Sequence, residues 1–238
     1  MERKEMQENV SDMDWTGLEA NINEVGYGVI KSLLTEQECL TLTEAYSQKT
    51  LYRKKIIMAR HGFGRGEYQY YNYPLPRLIE KARNEIYIKL STIANKWIDT
   101  SSHNTKYPRT LEQYLLKCHE AGQDEPTPLI LKYEEGDYNC LHQDLYGDHI
   151  FPLQVAILLS KQTKDFTGGE FIVAERSSSL AQAHVVSIDQ GDAVIFPVAY
   201  RPVKNKRNGY SKVLMRHGVS RIHSGRRFTL GIIFHDSK

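Results

Sequence analysis

Cysteine is scarce in this chain, and acid is missing from one long stretch of it. Three cysteines, Cys39, Cys118 and Cys140, are spread over 238 residues. The number is odd and no CxxC spacing occurs, which speaks against a disulfide framework and against a zinc knuckle. No apolar run reaches 18 residues, so no membrane-spanning helix is expected. Met1 to Asp14 is polar and acid-rich and lacks the apolar core of a secretory signal. These absences lead to the expectation of a cytoplasmic chain without a membrane partner. Between Ala193 and His235 there is no Asp or Glu against nine Lys or Arg, although the whole chain carries a net charge of only +2. That segment reads either as a surface for a polyanion or as a solvated face plus the charge needed to hold a small dianion.

What is present fits one domain with an extension. Hydrophobic content of 40% and charged content of 25% are ordinary for a globular chain, while 15 Tyr against 7 Phe suggests half-buried or site-lining aromatics. Residues 1–14 read as a disordered tail. Tyr27 to Ile30 is a short strand, and Thr35 with Glu38 forms a capping box ahead of an apolar stripe at Cys39, Leu40, Leu42 and Tyr46. The stretch 60–76, rich in Gly, Tyr and Pro, has no clean period and reads as a loop or irregular strand. Its Arg65 and Tyr68 could meet a substrate, though an aromatic loop can equally just pack over a core. From Pro76, apolar residues recur at helical spacing through Leu78, Ile79, Ala82, Ile86, Leu90, Ile93, Ala94 and Trp97. A second helix follows Thr110 and Gln113. Past Pro126 the pattern changes to short runs rich in Val, Ile and Phe, enough for two facing sheets. The expected fold is α+β with a mainly β core: residues 15–125 form a helical flank with a substrate loop, and residues 126–238 a jelly roll of the same domain.

Two pairs of residues carry chemistry. His142 and Asp144 are two apart, so in extended chain both leave one face and can reach one metal. His217 lies on a later predicted strand, where a barrel returns the chain to the same place. Two imidazoles and a carboxylate suit non-haem Fe(II), with open positions for a bidentate co-substrate and dioxygen, but zinc accepts the same set. Arg227 and Thr229, again two apart, place a guanidinium and a hydroxyl in one pocket, as capture of a carboxylate requires. A carboxylate site beside the metal favours iron with a keto-acid co-substrate. His217 shares strand parity with Val219 but not with Ile222, so the strand must bulge or end before Ser224-Gly225.

The string His217-x-Val219-x-x-Ile222-x-x-Gly225-x-Arg227-x-Thr229 resembles the distal motif of Fe(II)/2-oxoglutarate dioxygenases of the prolyl-hydroxylase type, and Tyr133-x-x-Gly136-x-Tyr138 ahead of His142-x-Asp144 resembles their proximal motif. PTPLILKY, LHQDLYG, FPLQ, DFTGGEF, RHGVSRIHSG and TLGIIFHD are also similar to strings of a bacterial oxygenase family described as acting on damaged DNA. The resemblance implies a double-stranded β-helix in which His142, Asp144 and His217 ligate iron and Arg227, Thr229 and Tyr133 hold 2-oxoglutarate. It further implies O2 as co-substrate, ascorbate as reductant, and release of succinate and CO2 as a C–H bond is hydroxylated. The nucleic-acid dealkylating oxygenases carry R-x-N-x-T-x-R, whereas neither the Asn nor the second Arg follows Arg227 here. Nucleic acid is favoured by the basic loop with Arg201, Lys204, Lys206 and Arg207, read as a rim of the active-site mouth. A protein or peptide side chain is the alternative substrate, and a non-catalytic metal- or anion-binding module is the alternative from another class. Oligomeric state leaves no trace in the sequence.

Overall fold

The computed structural model describes residue 10 and residues 13–100, 105–145, 147–177, 181–206 and 209–238. Most of the expected disordered tail thus lies outside the described residues. Within it, Val10 is buried and its carbonyl accepts the Trp15 indole N–H at 2.8 Å, and Asp14 caps the first helix. In chain order the elements are α1 (Trp15–Val25), β1 (Gly28–Ile30), α2 (Glu36–Glu44), β2 (Tyr52–Ile57), β3 (Gly64–Arg65), β4 (Glu67–Tyr71), α3 (Arg77–Asp99) and α4 (Leu111–Glu120). Strands follow: β5 (Leu129–Glu134), β6 (Tyr138–His142), β7 (Leu153–Leu158), β8 (Phe166–Gly168), β9 (Phe171–Arg176) and β10 (Ala181–Val186). The last four are β11 (Ala193–Pro197), β12 (Tyr200–Lys204), β13 (Tyr210–Val219) and β14 (Ile222–Ile232).

Hydrogen bonding sorts the strands into two antiparallel sheets. The major sheet runs β1-β11-β7-β14-β5-β4-β2, with β8 also on β14, and the minor sheet runs β10-β9-β13-β6-β3, with β12 also on β13. Both faces of the major sheet are covered, and the two-residue period of a strand divides its side chains between them. Ile130, Val155, Ile157, Ile195, Phe228 and Leu230 point outward into a core shared with the helices. Tyr133, Ala156, Leu158, Val194 and Phe196 point inward, against Phe171, Val173, Met215 and Val219 of the minor sheet. The result is the expected jelly roll, α+β and mainly β.

Helix α3 is buried along the predicted row, at Ile79, Ala82, Ile86, Leu90, Ile93, Ala94 and Trp97. Each large aliphatic side chain in it contributes roughly 2 kcal/mol of apolar burial. Arg83 was not expected in that row. Its Nη2 donates to Asp236 Oδ1 at 2.7 Å, its Nε to the Ile233 carbonyl at 2.9 Å and its Nη1 to the Tyr73 hydroxyl at 3.0 Å. The capping box at Thr35 and Glu38 forms in full, and Thr110 accepts the Gln113 N–H.

Some strands differ from expectation. Residues 60–76 hold β3 and β4, an irregular strand pair that joins one strand to each sheet. Strand β2 was missed because Tyr-Arg-Lys-Lys-Ile-Ile has no period-two apolar pattern: it is the edge of the major sheet, with Lys54 and Lys55 exposed. Lysines on an edge discourage pairing with another chain. Both expected alternatives occur: β13 ends at Val219 after a register shift between His217 and Val219, and β14 resumes at Ile222 with a further shift before Ser224. The three cysteines are free, and among the described residues no helix is long and apolar enough to cross a membrane.

Candidate metal centre and acid pocket

Strands β6 and β13 are neighbours in the minor sheet, with His142 paired directly to His217. Their rings lie 4.2 Å apart between centroids. Such close approach depends on Gly218, where a Cβ would stand 2.7 Å from the Asn139 carbonyl oxygen. Strand β6 ends at His142, and the chain then turns so that Asp144 meets both rings. Its Oδ1 is 3.4 Å from His142 Nε2 and its Oδ2 is 3.4 Å from His217 Nε2. One ligand atom from each of the three residues lies within 4.8 Å of the others.

Surrounding polar groups set the orientation of these side chains. His142 Nδ1 lies 2.8 Å from the Cys140 carbonyl; donating there places the ring's lone pair on Nε2, facing Asp144 and His217. Gln143 Nε2 donates to the Ala199 and Met215 carbonyls at 2.8 and 3.0 Å, fastening the turn between the two ligand positions to β13. Gln154, on the inner face of β7, donates from Nε2 to Asp144 Oδ2 at 2.7 Å. Neither glutamine was singled out in the sequence, since an amide has no spacing signature. Burial alone would raise the Asp144 carboxyl, yet the hydrogen bonds and charges of the two imidazoles hold it well below the usual carboxylate range. Burial opposes protonation of both histidines; it prevails at His217, which is lowered, while the Asp144 hydrogen bond raises His142.

The acid pocket adjoins this centre. Antiparallel pairing of β14 with β5 sets Arg227 opposite Tyr133 and Thr229 opposite Leu131. Arg227 is 1% exposed, donates from Nη1 to Thr229 Oγ1 at 2.5 Å, and lies 5.7 Å from the Tyr133 ring centre and 5.8 Å from that of Phe166. Room for it is made at Gly169, where φ is +66° and a Cβ would fall 3.0 Å from Arg227 Cδ. No carboxylate among the described residues pairs with this guanidinium, and its Nε and the Tyr133 hydroxyl are buried without partners. Burial lowers Arg227 to about 10 and raises the Tyr133 phenol. One cavity joins the triad to Arg227, Thr229 and Tyr133.

Of the remaining residues expected at the site, Tyr68 lines the same cavity. Arg65 does not; it is exposed on β3, with Nε 3.6 Å from Asp137 Oδ1. Arg201 requires a correction: it is 4% exposed, bonded to Glu175 and to the Asn23 carbonyl, and so closed to a substrate phosphate. Lys204 and Lys206 are exposed at the β12–β13 hairpin, and Arg207 lies outside the described residues. Lys204 pairs with Tyr210, seven residues before His217 on β13. At the rise of a strand that is roughly 23 Å from the triad. Of the expected basic rim, Arg201 and Lys204 thus stand away from the cavity.

Comparison with known proteins gives a consistent picture. The family described as "Oxygenase, catalysing oxidative methylation of damaged DNA" matches residues 66–237. Two uncharacterised proteins of Mycobacterium tuberculosis, from strains CDC 1551 / Oshkosh and ATCC 25618 / H37Rv, are each 43% identical over 165 residues, covering 69% of this chain and 70% of theirs. Among solved structures, a Pseudomonas putida prolyl-4-hydroxylase is similar with a TM-score of 0.55 at 12% identity, over 94% of this chain and 99% of that one. An oxidoreductase of the 2OG-Fe(II) oxygenase family from Burkholderia pseudomallei gives 0.53 at 14% identity, over 95% and 93% of the two chains. At these identities the likeness is one of fold.

Proposed function

The chain belongs to this oxygenase family and is an oxidoreductase, and from that premise we propose that it is an Fe(II)- and 2-oxoglutarate-dependent dioxygenase whose substrate is damaged nucleic acid. The observation that carries the reading is Arg227, a buried cation without a carboxylate partner, in one cavity with three converging metal-ligand side chains. His142, Asp144 and His217 would hold the iron. Arg227 and Thr229, with the Tyr133 hydroxyl, take the distal carboxylate of 2-oxoglutarate, which supplies the counter-ion and the hydrogen-bond acceptors that this end of the cavity lacks. When bound, the iron supplies oxygen activation coupled to decarboxylation of 2-oxoglutarate to succinate and CO2, with ascorbate keeping it reduced. Phe171, Phe196 and Tyr68 line the cavity and limit water near the reacting atoms.

Hydroxylation of an N-methyl carbon on a damaged base gives a product that falls apart to formaldehyde and the N–H base. A second reading, hydroxylation of a protein side chain, is favoured by one observation: of the cations expected to hold phosphates, Arg201 is ion-paired in the interior and Lys204 is far from the triad. We read residues 15–125 and 126–238 as one catalytic domain in a reducing cytoplasm, a setting that the free thiols of Cys39, Cys118 and Cys140 support. The test is 2-oxoglutarate turnover with added Fe(II), in the presence of methylated oligonucleotides or of peptides. Succinate formation that disappears in His142→Ala is expected, with formaldehyde released from the oligonucleotides. No decarboxylation, with or without substrate, would overturn the reading; hydroxylated peptide without formaldehyde would select the second one.

A further inference from the structure

Strand β7, Leu-Gln-Val-Ala-Ile-Leu, is buried at every position and apolar at every position except Gln154. This side chain is 5% exposed. Its Nε2 lies 2.7 Å from Asp144 Oδ2 and 3.2 Å from His217 Nε2, while its Oε1 is buried with no partner among the described residues. A buried amide whose carbonyl is unmet is unfavourable, and methionine or leucine would fill the same space without that penalty. Packing therefore does not account for glutamine at this position. What it offers beyond an apolar side chain is the amide N–H2. Gln143 differs, since its amide donates to two backbone carbonyls.

We propose that Gln154 is a positioning residue that keeps Asp144 attached to the metal through one oxygen. The proposal rests on the reading of His142, Asp144 and His217 as the iron site. The two oxygens of Asp144 are placed alike, each 3.4 Å from one imidazole, so the carboxylate alone has no preference between one-oxygen and two-oxygen attachment. The amide donor engages Oδ2 and leaves Oδ1 for the metal. Two imidazoles and one oxygen occupy three positions of an octahedron and leave three, enough for a bidentate co-substrate and dioxygen. Attachment through both oxygens would remove one of these.

The experiment is titration of the purified full chain with Co(II), without 2-oxoglutarate or substrate, followed by calorimetry and visible absorption. Gln154→Met and Gln154→Leu are expected to weaken Co(II) binding about 10- to 100-fold, the range for lost partners of metal ligands. The Co(II) bands should change as coordination changes, in variants whose metal-free protein still unfolds cooperatively. His142-dependent Co(II) binding that is equally tight and spectrally unchanged in both variants would overturn the proposal and leave the iron site standing. Failure of both variants to fold would overturn it too, because an apolar side chain must fit. Wild-type protein that takes no Co(II), or binds it equally after His142→Ala, would overturn the iron site and this proposal together.

Discussion

Arg83 and Arg227 are each 1% exposed, and their surroundings are opposite. Arg83 meets the carboxylate of Asp236, itself fully buried, along with a carbonyl and a tyrosine hydroxyl. Arg227 meets the hydroxyl of Thr229 and the faces of two rings. The first charge is neutralised within the chain and acts as a fastener between α3 and the C-terminal segment. The second has no ion-paired carboxylate among the described residues and feels only the more distant charge of Glu170, a state that burial disfavours; on the proposed reading an acid from outside completes it. Charge and depth are equal in the two cases; the partner separates structure from function.

The largest expected effect tests the fastener. Arg83→Met should cost about 3 kcal/mol, because buried Asp236 loses its charged partner and keeps only the Tyr73 hydroxyl and the His119 ring. Urea unfolding would measure the loss, and 2-oxoglutarate turnover per folded molecule should not change; a loss below about 1 kcal/mol would erase the contrast. Arg227→Met should do the reverse, leaving stability level or slightly higher while weakening 2-oxoglutarate about 100-fold, equivalent to about 2.7 kcal/mol. The observable is the rise in melting temperature on adding 2-oxoglutarate, expected for wild type and lost in the variant.

Acid should act on the Arg83 side of the molecule. His235 is 1% exposed and lowered to about 4, first by burial and then by the Arg83 charge, and its Nδ1 accepts the Phe151 N–H at 3.2 Å. Between the ordinary histidine value and about 4, the unfolded chain binds more protons than the folded one. This contribution to stability is complete above the ordinary value and is lost as pH falls, by roughly 2 kcal/mol at pH 5. His235→Gln should flatten that slope in denaturation curves, and an unchanged slope would remove His235 from the account. The smallest effect concerns Arg201, intermediate between the other two: Glu175→Gln should cost about 1 kcal/mol, with turnover unaltered.

The convergence of His142, Asp144 and His217, and of Arg227 with Thr229, was legible because each pair is two apart, a spacing that strands turn into a shared face. The placing of His142 opposite His217 followed from the expected return of a barrel. Arg201 was misread for a physical reason. A basic run looks the same whether its charges face water or a carboxylate, and Glu175 lies 26 residues away on a strand separated from β12 by β13. Arg83 was hidden likewise, its partner being 153 residues distant. Gln143 and Gln154 gave no signal, since their roles depend on which atoms fold around them. Strand β2 was missed because an edge strand need not alternate.

Strand β6, which carries His142, has β13 on one side and on the other only the two residues of β3. Few backbone bonds hold that outer side, Cys140 N–H to the Phe63 carbonyl at 2.9 Å being one of them. Segments of this kind open locally at small free energy, well before the rest of the fold. The strand bearing a proposed iron ligand should therefore be among the first parts of either sheet to exchange its amide hydrogens with solvent. A metal bridging His142 to His217 would slow that exchange, coupling the integrity of this thin edge to the state of the iron.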